Sequence, residues 1–96
     1  MVVKLVPTTR EYLDVTVVAQ EDISDSTVEV ADMADDAIPT DSDWHPPADL
    51  KRPNSRTFVA KIFVETGRSE TVRTVWVAIG DRPERPVRRA GAYIVA

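Results

Sequence analysis

What this sequence lacks narrows its chemistry first. It has no cysteine, so disulfide staples, thiol nucleophiles and cysteine-ligated zinc are excluded together. It has one histidine, His45, and three glycines. With its serines only in polar connections and no nucleophile-elbow glycines, the chain gives no material for a catalytic triad, and it contains no G-x-G-x-x-G and no phosphate loop. No apolar run approaches the about 20 residues that a helix needs to cross a bilayer. The start, Met1-Val2-Val3-Lys4-Leu5-Val6-Pro7, has no basic head, long apolar core or cleavage site. Neither secretion nor membrane anchoring is expected from it. The missing cysteine suits a reducing cytoplasm, and equally a protein assembled there and later carried outside.

What is present is β-strand material. Tyr12–Ala19 alternates strictly, with Leu13, Val15, Val17 and Ala19 on one face and Tyr12, Asp14, Thr16 and Val18 on the other; period two with one polar face marks a half-buried strand. The run Val15-Thr16-Val17-Val18 is β-branched throughout, which disfavours the helical alternative. Val2–Val6, stopped by Pro7, reads as a short edge strand. Thr27–Ala31 reads as a further strand, with Val28 and Val30 inward and Glu29 outward. Phe58–Glu65 and Thr71–Ile79 are separated by Thr66-Gly67-Arg68-Ser69-Glu70, a short connection with one glycine, and the pattern reads as a β-hairpin. Val75, Val77 and Ile79 share one face of the second segment. Pro83 and Pro86 interrupt the ladder because proline has no N–H to donate, and Ala92–Val95 resumes it. Six strand signals with turns between them predict an all-β chain, an antiparallel β-sandwich forming a single domain over residues 1–96. Helix is minimal; the best candidate is one turn around Asp32–Ala37, where Asp32 could cap.

Between Asp32 and Asn54 the alternation disappears. This stretch holds Pro39, Pro46, Pro47 and Pro53 and abundant aspartate, and is predicted as one long acidic, proline-rich loop acting as a contact arm. Trp44 and Leu50 are poor choices for a solvated tail, so Trp44 is expected to pack back on the sandwich or into a partner. Asp41, Asp43 and His45 form an Asp-x-Asp-x-His pattern that invites a metal. Pro46 and Pro47 stiffen the backbone immediately after His45, and the glycine and distal glutamate of a calcium loop are missing; no metal site and no cofactor are expected.

Charge is unevenly distributed. Residues 1–48 carry Lys4 and Arg10 against eleven acids, a balance of −9, whereas residues 49–96 carry ten Lys or Arg against five acids, a balance of +5. Interleaved strands would neutralise much of this on one surface; a projecting acidic loop would give the molecule a polar axis. The candidate contact residues are Asp35, Asp36, Asp41, Asp43 and Trp44 in the acidic stretch and Arg82, Arg85, Arg88 and Arg89 at the basic corner, expected on opposite surfaces. Only Tyr93 lies near these arginines, so the interleaved aromatics of a single-strand nucleic-acid site are missing, and a protein is the expected partner.

Taken together, Arg10-Glu11-Tyr12 leading into a β-branched strand, Asp43-Trp44-His45-Pro46 in the middle, and Val75-Trp76-Val77-Ala78-Ile79-Gly80-Asp81-Arg82-Pro83-Glu84-Arg85-Pro86-Val87 followed by Ala90-Gly91 resemble a family of small actinobacteriophage structural proteins. The resemblance covers most of the chain and implies an immunoglobulin-like sandwich. It further implies a place in the virion, at the head–tail neck or as a decoration on capsid or tail. No enzymatic activity would be expected; the partners would be other virion proteins and copies of the chain itself, met on assembly in the host cytoplasm. Arg73 stands where the family pattern leads one to expect an aromatic two residues before Val75-Trp76-Val77, which weakens the case for a tyrosine-corner hydrogen bond across the sandwich. The alternative role is a soluble module that binds a bacterial surface glycan or protein, with Trp44 and Trp76 as an aromatic platform if they lie side by side.

Overall fold

The computed structural model describes residues 2–7, 12–35, 37–63, 72–80 and 85–94. They form seven strands: β1 (Val2–Pro7), β2 (Tyr12–Val18), β3 (Val28–Ala34), β4 (Leu50–Asn54), β5 (Thr57–Phe63), β6 (Val72–Ile79) and β7 (Val87–Ile94). The only helical element among the described residues is a single 3-10 turn at Asp41–Asp43, and no helix is long and apolar enough to cross a membrane. Two antiparallel sheets result. One has the order β1-β2-β5-β4 and the other the order β3-β6-β7.

The alternation read from the sequence decides which side chains lie between the sheets. Leu13, Val15 and Val17 of β2 and Phe58, Ala60 and Ile62 of β5 form one wall; Val28 and Val30 of β3 and Val75, Val77 and Ile79 of β6 form the other. Each such aliphatic or phenyl side chain taken out of water contributes about 1.5–3 kcal/mol, the main favourable term for a chain of this size. Ile23, from the connection between β2 and β3, closes one end of this core; its amide donates to the Ser55 carbonyl at 2.7 Å. Arg52 supports the same connection, donating to the carbonyls of Ile23 at 2.8 Å and Ser26 at 2.6 Å.

Three sequence expectations need correction. β5 and β6 do not form a hairpin: they lie in different sheets. Each buries one apolar face in the common core, and the eight residues 64–71 between them, outside the described residues, are enough chain to span the roughly 10 Å between packed sheets. The helical turn at Asp32–Ala37 is replaced by strand, since β3 runs on to Ala34 in register with Arg73 of β6. The chain then turns at Asp35, whose φ is 48°, a left-handed conformation that Asp tolerates better than most residues. Finally, the stretch from Asp32 to Asn54 is not one loop. It contains the end of β3, the turn at Asp41–Asp43, a bridge between Val30 and His45, and β4. Pro53 sits where the β4–β5 register is irregular, between Lys51 and Asn54, as its missing N–H requires. The β4–β5 turn is fixed by the Asn54 side chain, which accepts from the Arg56 amide at 2.9 Å.

β7 carries its own irregularity. Its register against β6 shifts between Val75 and Trp76, opposite Gly91, whose φ of 156° and position against Leu5 leave a Cβ only 3.3 Å from the Leu5 Cβ. Glycine there lets β1 and β7 close one side of the two-sheet structure.

Candidate functional site

Three surfaces of the molecule carry unusual chemistry. The first is a polar cluster at one end of the core. Asp32, at the end of β3, accepts through Oδ1 from Arg73 Nε at 3.1 Å and through Oδ2 from the Tyr93 hydroxyl at 2.5 Å, while a second Arg73 nitrogen donates to the Asp32 carbonyl at 2.8 Å. The Arg73 and Asp32 side chains are 8% and 17% exposed, so this is a largely dehydrated pair whose charges must be matched by partners. Burial and the neighbouring carboxylate both raise the Tyr93 pKa above the ordinary phenol range of about 10. A tyrosine-to-carboxylate bond therefore crosses this sheet, made from β7 rather than from the position that Arg73 occupies. Beside the cluster opens a cavity of about 390 Å³, lined by Asp32, Arg73, Lys61, Ile62, Phe63, His45, Pro46 and Ala48. Both Asp32 oxygens are engaged, and the His45 Nδ1 lies 3.1 Å from the Pro46 carbonyl. Among the described residues lining this cavity, none pairs a nucleophile with a base.

The second surface joins the two halves of the charge distribution. Glu29 projects from β3 away from the core, and Arg85, just before β7, meets it at 2.5 Å with side chains 18% and 5% exposed. The same guanidinium lies 5.1 Å from the centroid of the Trp44 ring, a cation–π contact. Trp44 is half-buried, and His45 beside it exchanges two backbone hydrogen bonds with Val30 at 2.9 and 3.0 Å. The acidic stretch and the basic corner thus meet each other; they were expected on opposite surfaces. The reason is topological, because β3 and β7 flank β6 in one sheet and bring Glu29 and Arg85 to the same outer face. Of the other candidate contact residues, Asp35 and Asp41 are exposed, Asp43 is half-buried, and Arg88 and Arg89 are exposed on β7. Asp36 and Arg82 lie outside the described residues. Asp43 accepts from the Thr40 amide at 2.7 Å and hydroxyl at 2.9 Å, which lowers its pKa and occupies one of the oxygens that a metal would need. Among the described residues no three His, Asp or Glu side chains come together as a metal site.

The third surface is the outer face of the four-stranded sheet. Val2, Val6, Val18 and Phe63 all point there and are 54%, 46%, 45% and 56% exposed. Tyr12 and Phe63 are register partners and pack edge to face with centroids 5.7 Å apart, and the Lys61 ammonium lies 5.7 Å from the centroid of the Tyr12 ring. Amid these residues, the Oδ1 of Asp14 is buried with no hydrogen-bond partner. The alternation of β2 and β5 already placed Val18 and Phe63 on this side, whereas the outward direction of Val2 and Val6, and the adjacency of β1, β2 and β5, were not legible in the sequence.

Comparison with protein-family models, with curated proteins and with solved structures returned no match.

Proposed function

We propose that the chain is a non-enzymatic structural component of a tailed-phage virion, built as an immunoglobulin-like sandwich and acting through protein–protein contacts at the head–tail neck or on the surface of capsid or tail. The observation that carries the architectural half is the strand order. Lettered A to G along the chain, β1-β2-β5-β4 reads A-B-E-D and β3-β6-β7 reads C-F-G, the arrangement of immunoglobulin constant-type domains. Fold does not fix role. The role is supported by the resemblance carried by Val75–Val87 and Ala90-Gly91, and by an exposed face whose apolar residues suit contact with protein. A place in the virion implies assembly in the host cytoplasm and partners among the other virion proteins.

The test is quantitative mass spectrometry of gradient-purified particles. A fixed, symmetric copy number per particle is the expected result; recovery of the chain only in the soluble lysate fraction would end this reading. A second reading, a module that recognises a bacterial surface glycan, is favoured by the Tyr12–Phe63 pair, in which exposed Phe63 packs against half-buried Tyr12. Saturable binding to host cell-wall polysaccharide, lost in Phe63→Ala, would support it over the first.

A further inference from the structure

We infer that the outer face of the four-stranded sheet is an isologous contact: two copies of this chain pair face to face across a two-fold axis that crosses β2 at Val15, perpendicular to the strands. The inference specifies one contact of the module proposed above, yet it stands on the geometry of this face alone.

Asp14 is the acidic centre of this face. It sits half-buried inside an apolar rim, a negative charge among exposed valines and Phe63. Its register partners are Val6 on β1 and Lys61 on β5, and the Lys61 ammonium is drawn toward Tyr12. The next row holds Lys4, Thr16 and Val59 in register. The outward residues of β2 therefore read Tyr12, Asp14, Thr16, Val18: a ring, an acceptor, a donor and an aliphatic group. That order is complementary to itself when reversed. A two-fold axis between Asp14 and Thr16 sets Asp14 against Thr16 of the partner subunit and Tyr12 against Val18 of the partner subunit. Because Lys4 and Thr16 share a row, the same operation brings Lys4 of the partner subunit beside Asp14. Each Asp14 then faces a hydroxyl and an ammonium of the partner subunit, and the exposed valines and aromatic edges at the rim lose water. The other face-to-face two-fold, with its axis along β2, would place Asp14 against its own copy. Like charges in apposition disfavour that arrangement.

This polar centre within an apolar rim sets orientation more than strength. Three strands of six or seven residues cover a face about 20 Å long and about 15 Å wide, smaller than a standard interface of about 800 Å² per partner. The contact is accordingly weak, suited to repeated use in an assembly and to a second copy at high local concentration.

Sedimentation velocity of the complete chain from about 1 to about 500 μM tests this directly. The expected result is a reversible monomer–dimer transition, abolished by Val18→Glu. The decisive pair is at position 16: Thr16→Lys sets a cation against Asp14 of the partner subunit and tightens the dimer by about tenfold, whereas Thr16→Glu sets an anion there and weakens it by a similar factor. Circular dichroism unchanged from wild type in each variant assigns the difference to the contact. A chain that stays monomeric throughout the range, or a dimer that responds equally to Thr16→Lys and Thr16→Glu, would overturn the inference. Either result leaves the virion reading intact, and absence from particles would leave the dimer intact.

Discussion

Arg73 is the residue whose surroundings most change its meaning. On sequence it is a cation in a strand otherwise rich in valine; in the fold it is the buried donor that holds Asp32. Removing one partner of such a pair leaves the other as an uncompensated charge, so Arg73→Met is expected to cost about 3–5 kcal/mol and the double change Arg73→Met with Asp32→Leu distinctly less. Urea unfolding of the single and double variants measures this. Tyr93 adds a pH dependence whose sign follows from its raised pKa. Above pH 10 the unfolded chain releases the phenolic proton while the folded chain retains it, so stability falls as pH rises through and beyond that point. Thermal unfolding between pH 8 and 11.5 should show the decline begin near pH 10, and Tyr93→Phe should flatten it. Asp22 and Asp43 act at the other end. The Ser24 hydroxyl and amide hold the Asp22 pKa below 3.8, and the Thr40 amide and hydroxyl do the same for Asp43; what these bonds contribute is present above that value and is lost as pH drops through the folded pKa of each group.

Among the elements, β7 and the segment between β3 and β4 depart furthest from simple strand and loop. Gly91 combines a φ of 156° with a Cβ position 3.3 Å from Leu5, so Gly91→Ala pushes β1 away from β7 as well as straining the backbone. A loss of about 1–3 kcal/mol is expected, visible as a lower urea midpoint with an unchanged slope. The segment around Trp44 is fastened at few points, among them the bridge to Val30 and the Arg85 guanidinium over the ring. Arg85→Ala removes the ion pair with Glu29 and the cation–π contact together. Amide exchange at Val30 and His45, which donate to each other's carbonyls, should speed up by at least tenfold while the amides of β2 and β5 keep their protection. Equal acceleration everywhere would mean that Arg85 stabilises the whole fold instead of this segment. The stretch from Asp32 to Asn54 was read from sequence as a single loop in part because the residues of β4, Leu50-Lys51-Arg52-Pro53-Asn54, are all exposed. An edge strand without a buried face leaves no period-two signal.

For the molecule as a whole, the decisive feature is how often the chain changes sheet. It crosses between β2 and β3, between β3 and β4, and again between β5 and β6, so most stabilising contacts join residues far apart in sequence. Folding must close these loops before the core rewards it, and refolding by stopped-flow fluorescence of the two tryptophans is expected on the millisecond-to-second scale. The same crossings mix the charges. The acidic first half and the basic second half meet at Glu29–Arg85 and Asp32–Arg73, so the imbalance in the sequence becomes local neutralisation on one sheet.

For β2, β5 and β6 the sequence by itself determined which residues are extended and which way their side chains point. Alternation in β2, β5 and β6 is a local property of a pleated backbone, and burial of Val15, Phe58 and Val75 follows from it whatever strand lies alongside. Which strands share a sheet, and therefore that β5 and β6 face each other across the core, that Tyr93 reaches Asp32, and that Arg85 covers Trp44, was decided only by tertiary structure. Strand pairing is a choice among distant partners with similar apolar faces, and its outcome depends on how all seven strands fill one core together.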